Sequence, residues 1–115
     1  MQIFKSFYFA FKGVADLFSG RHPNAIIHLL AVIIVGIAGV CYNISNTEWS
    51  MVIVCIMTVL SMEAVNSAIE YIVDLVSPQY HPLAGKAKDI AAAAVLLSAI
   101  GSVLVAMFIF IPKIF

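Results

Sequence analysis

Three long apolar runs fill most of this chain, and they leave little room for a soluble globular fold. They cover about Ala25–Tyr42, Trp49–Val73 and Ile90–Ile111. A helix that crosses a bilayer needs roughly 20 mostly apolar residues, so each run is long enough. The chain has 115 residues, 63% of them hydrophobic and 10% charged, with a mean hydropathy of +1.09. A soluble domain of this size could not bury so much apolar surface. The sequence therefore predicts an all-α integral membrane protein, one domain over 1–115, with transmembrane helices at 25–42, 49–73 and 90–111. The first run reads as a span rather than a signal peptide, because a long segment precedes it and no small-residue cleavage site follows. Formal net charge is zero, from six basic and six acidic residues, which gives no electrostatic footprint for nucleic acid. Cys41 and Cys55 lie in apolar runs without metal-ligand spacing and read as small hydrophobes.

The first nineteen residues have a different pattern. Ile3, Phe4, Phe7, Tyr8, Phe11, Val14, Ala15 and Phe18 recur at helical spacing, with Lys5, Lys12 and Asp16 between them. This predicts an amphipathic surface helix over 1–19 that lies in the membrane interface. The turn-forming stretch Ser19-Gly20-Arg21-His22-Pro23-Asn24 leads into the first span.

Lys5, Lys12, Arg21, Lys86 and Lys88 flank the start of the first span or the connector between the second and third. The segment 43–48 has no basic residue. Basic residues concentrate on the cytoplasmic side, so the N-terminus and the 75–89 loop are expected there.

Within the second span, Glu63, Asn66, Glu70 and Asp74 follow one another at i, i+3, i+7 and i+11. At 3.6 residues per turn these positions share one helix face. A carboxylate at membrane depth costs a few kcal/mol or more, so it marks a functional site unless a buried cation from another helix pairs it. Across the connector, Lys86 and Lys88 can meet phosphate as point charges, or else snorkel to the membrane edge. Carboxylates beside lysines suit metal-assisted phosphoryl transfer, since the metal needs hard oxygen ligands and a polyphosphate needs cations.

The run Glu63-Ala-Val-Asn66-Ser67-Ala-Ile-Glu70, then Val73-Asp74, Tyr80-His81 and Ala87-Lys88-Asp89 with Ala91–Val95, closely resembles the prokaryotic diacylglycerol kinase family. That family consists of small integral-membrane lipid kinases and includes undecaprenol kinases. The resemblance covers essentially the whole chain. It implies an ATP- and magnesium-dependent kinase of a lipid primary hydroxyl, with diacylglycerol the first expected acceptor and undecaprenol the alternative. It further implies a homotrimer with active sites shared between subunits, in the bacterial inner membrane.

By the same resemblance, Glu63 matches the catalytic carboxylate, and Asn66 a polar partner that helps hold the site. Glu70 matches a magnesium ligand. Tyr80, His81, Lys88 and Asp89 match nucleotide-holding positions, and Asp74 an acidic position at the same site. One departure stands out. Many relatives carry a second metal-binding glutamate just before the first span, and alignment through Asn24 and His28 puts His22 there. A nitrogen ligand would be a poor replacement, because magnesium prefers oxygen. Two readings of other kinds remain open at this point. Glu63 could serve as a proton relay in a small transporter, or the chain could be a non-catalytic paralogue.

Gly36, Gly39, Ser67, Ala68 and the Ala91–Ala94 run offer small faces for close helix approach. They are the expected contact surfaces of an oligomer.

Overall fold

The computed structural model describes residues 2–115, and all the regular structure among them is helical. Helix α1 covers Gln2–Leu17, α2 Pro23–Cys41, α3 Asn46–Val76 and α4 Pro82–Ile114. The last three are long and apolar enough to cross a membrane.

Local chemistry sets most of the boundaries. Proline opens α2 at Pro23 and α4 at Pro82, where its missing N–H leaves no bond unmade. At the start of α3, Ser45 Oγ accepts from the Glu48 N–H at 3.1 Å, and Glu48 Oε1 accepts from the Ser45 N–H at 2.9 Å. This reciprocal box satisfies two backbone donors that a helix start would leave orphaned. His81 caps α4, its Nδ1 accepting from the Leu83 N–H at 3.1 Å. The two N-terminal turns use left-handed backbone: Gly20 at φ 96° and Asn43 at φ 53°. Glycine and asparagine are the residues that enter this region most readily.

The apolar runs underestimate two helices. α3 runs Asn46–Val76 rather than 49–73, and α4 starts at Pro82 rather than at Ile90. At 1.5 Å per residue, helices of 31 and 33 residues reach about 46 and 50 Å, well past a hydrocarbon core of about 30 Å. The expected 75–89 loop therefore shrinks to a short turn over 77–81. Lys86 and Lys88 lie in the second turn of α4, not in a loop.

α3 and α4 form the main packed pair, and α2 and α1 each lie against α3. Ile44, Val52 and Ile109 form the buried cluster at one end, backed by Val35, Trp49 and Ile56. Gly39 makes this end possible: a Cβ built there would stand 2.6 Å from Trp49 Cη2. Gly39, Ser67 and Ala91 are buried by the chain's own packing, while Ala92 and Ala93 remain exposed. Large apolar side chains such as Ile34, Val54, Leu97 and Phe108 point outward. Their exposure fits a hydrocarbon solvent and not water.

Candidate active site

The polar row on α3 grades from buried to exposed. Glu63 and Asn66 are each 3% exposed, Glu70 is half-buried, and Asp74 faces out. Asn66 Nδ2 donates to Glu70 Oε1 at 3.2 Å, one helical turn apart. Glu63 Oε2 and Asn66 Oδ1 are buried without a hydrogen-bond partner among the described residues. Leaving such acceptors unmet in an apolar setting is costly, so an unfilled pair of this kind is suited to receive donors from a ligand.

The lower end of the row meets α4. Lys88 donates to Asp74 Oδ1, which ties the second turn of α4 to the last turns of α3. Antiparallel packing brings these two residues together although they are fourteen apart in sequence. Of the remaining expected nucleotide positions, Tyr80 is 90% exposed, and Asp89 also faces outward. His81 is exposed and is engaged as the cap of α4.

His22 sits in different company. Its Nε2 is 2.9 Å from the Tyr71 hydroxyl and 3.4 Å from Asp16 Oδ2. Tyr71 also donates to Asp16 Oδ2 at 2.9 Å. The Tyr71 and His22 hydrogen bonds, with the Arg21 guanidinium 3.5 Å away, hold the Asp16 carboxyl below its usual range. Among the described residues no group of three or more His, Cys, Asp or Glu side chains converges as a metal cluster.

Sequence reasoning passed over Asp16, Tyr71 and His28. Asp16 and Tyr71 carried no signal, because nothing in spacing places the end of α1 beside α3. His28 did carry one: it is an ionisable side chain inside an apolar span, a position that is functional by default. In the structure its Nε2 lies 3.7 Å from Glu63 Oε2.

Three membrane-length helices with a polar row that runs from the buried Glu63 to the exposed Asp74 and its lysine define a polytopic membrane protein with a polar site at the edge of its spans. Comparison with known proteins makes the class specific. Residues 8–110 match the family described as prokaryotic diacylglycerol kinase. An undecaprenol kinase of Bacillus subtilis (strain 168) is 38% identical over 112 residues, covering 97% of this chain and 90% of that protein. A diacylglycerol kinase of Synechocystis is 35% identical over 108 residues, covering 93% of this chain and 61% of that protein. The diacylglycerol kinase of Escherichia coli (strain K12) is 44% identical over 54 residues, which span 47% of this chain and 44% of that protein. The chain belongs to the prokaryotic diacylglycerol kinase family and is a lipid kinase.

Proposed function

We propose that this chain transfers the γ-phosphoryl group of ATP to the primary hydroxyl of diacylglycerol, with Glu63 as general base. The observation that carries this reading is the Glu63 carboxylate, buried at 3% exposure at the head of the polar row on a membrane-length helix. An acceptor of this kind, in a dry setting, suits a hydroxyl donor. As Glu63 takes the hydroxyl proton, the lipid oxygen bonds to the γ-phosphorus. The bond from that phosphorus to the bridging oxygen breaks, and ADP leaves. Asn66, held by Glu70, keeps the row rigid beneath the base. Lys88 supplies a cation for the phosphates, with Tyr80, His81, Asp74 and Asp89 around the nucleotide.

Magnesium fits the residues present. The Glu70 carboxylate and the orphaned Asn66 Oδ1 are neighbouring oxygen donors on one face of α3. Magnesium takes one or two carboxylates together with substrate phosphates, and hard oxygen is the donor it prefers. When bound with ATP, the ion would neutralise charge on the phosphate oxygens. His22 is held by Asp16 and Tyr71 and is the weakest member of this set.

A second acceptor has a specific observation behind it. The relative aligned over 97% of this chain carries the name undecaprenol kinase. Both lipids present a primary hydroxyl at the interface, and the apolar outer faces of the spans suit either chain. The same reading takes the whole chain as one kinase domain and homotrimer in the bacterial inner membrane. Its N-terminus and the 77–81 turn face the cytoplasm, where ATP is found. The exposed aromatic residues Phe4, Phe7, Tyr8 and Phe11 support α1 lying in the interface.

The test is a side-by-side kinase assay of purified protein with diacylglycerol and undecaprenol, alongside Glu63→Gln. Phosphatidic acid as the dominant product supports the first acceptor, and undecaprenyl phosphate the second. Loss of general-base action is expected to lower turnover on the order of a hundredfold or more in Glu63→Gln. Near-normal activity of that variant would remove Glu63 from the chemistry.

A further inference from the structure

The proposed base has a neighbour that its catalytic role leaves unexplained. Glu63 Oε2 is buried and without a hydrogen bond. Asn66, one turn along the same helix, turns its amide donor to Glu70 and not to Glu63. The side chain that faces the free oxygen comes from another helix: His28 of α2, with Nε2 at 3.7 Å. That is just beyond hydrogen-bond range, and contacts at catalytic sites often tighten only when substrate binds.

The surroundings of His28 point the same way. Its side chain is 20% exposed, and it forms a polar end of an otherwise mostly apolar cavity of about 230 Å³ between α2, α3 and α4. Ala31 and Val32 on α2, and Val59 and Leu60 one turn before Glu63 on α3, line the same cavity. With little water to compete, a single donor aimed at a carboxylate has a large effect on its orientation. An imidazole is also chemically suited to the task. In its neutral form it donates one N–H and leaves the carboxylate basic, whereas a permanent cation there would stabilise the ionised form and weaken it as a base.

We propose that His28 is a positioning residue for Glu63: its ring N–H holds Oε2, so that the other carboxylate oxygen is turned toward the lipid hydroxyl. The proposal rests on Glu63 being the general base. It links α2 to the chemistry, although the row of site residues lies on α3 and α4.

The experiment compares His28→Leu, His28→Gln and Glu63→Gln with the wild-type protein in detergent, using the acceptor that wild type phosphorylates. Leucine has similar bulk and suits the cavity but has no donor. Glutamine places an amide N–H at similar reach. Assembly of each variant is checked by gel filtration. His28→Leu is expected to lower kcat by about tenfold or more through misorientation of the base, with the KM for ATP unchanged. His28→Gln should recover most of that loss. Combining His28→Leu with Glu63→Gln should add little further loss, because the positioned group is already gone. Wild-type kcat in His28→Leu, equal losses in the Leu and Gln variants, or a change confined to the KM for ATP would each overturn the role. Glu63→Gln separates the two levels. If it stays active, the base assignment fails and the positioning role falls with it. If it is inactive while His28→Leu is unimpaired, only the role of His28 fails.

Discussion

The Tyr71 hydroxyl donates to Asp16 Oδ2 at 2.9 Å, joining the last turn of α1 to α3 across 55 residues of sequence. The His22 ring closes the group from the start of α2. Three helices therefore meet through one carboxylate, at the end of α3 that carries Glu70 and Asp74. This contact sets how α1 is held relative to the site.

The Asp16 carboxyl is held below its ordinary range by Tyr71 first, then by His22 and Arg21. A carboxylate whose value is lowered on folding contributes stability above its unfolded value of about 3.9. That contribution is lost as pH falls through the lower folded value. The docking contact should therefore hold through the neutral range and release only below about pH 4. NMR of the tyrosine ring resonances in micelles, with Tyr71→Phe for assignment, measures this. Release of α1 from α3 already at about pH 5, above the ordinary carboxylate range, would contradict it.

Glu70→Gln removes a charged oxygen ligand while keeping the shape that Asn66 binds. Its activity should require several-fold more magnesium, a shift on the order of that seen when one metal-site group is weakened. Lys88→Ala frees Asp74 and removes a phosphate cation, so the KM for ATP should rise or kcat fall. Unchanged ATP and magnesium titrations in both variants would move the nucleotide site elsewhere.

His22→Ala should leave the magnesium titration unaltered and loosen α1, because the ring is engaged by Asp16 and Tyr71. His22→Glu would set a second carboxylate against Asp16, and like charges at that range repel. Limited proteolysis in the 18–22 turn should therefore be faster in both variants. A leftward shift of the magnesium titration in His22→Glu would instead restore this position to the metal site.

Gly39→Ala tests the packing at the opposite end. The added methyl would overlap the Trp49 ring, and overpacking of this kind costs about 1–3 kcal/mol. Thermal unfolding in detergent should show a lower midpoint, while initial activity at low temperature stays near wild type.

A lone subunit leaves Ala92, Ala93 and many large apolar side chains uncovered. Mass measurement in mild detergent should return an oligomer, with three copies the number that the family resemblance implies. An active monomer would contradict the shared-site arrangement.

Much of this protein was legible from sequence by itself. Helical membrane architecture followed from three runs too long and apolar for water, a constraint of length and solvation that needs no tertiary information. The shared face of Glu63, Asn66, Glu70 and Asp74 followed from helical period alone. The start of α3 was also encoded locally, in the Ser45–Glu48 box, although the apolar run marked it only from 49. Tertiary structure decided what spacing cannot: which residues from different helices meet. The start of α4 at Pro82 places Lys88 on a helix antiparallel to α3, and so against Asp74. The packing of α2 on α3 sets His28 opposite Glu63, and the turn at Gly20 brings His22 to Tyr71. The physical reason is that helical period fixes the face a side chain shares within its own helix. Only the packing of one helix on another fixes what that face meets.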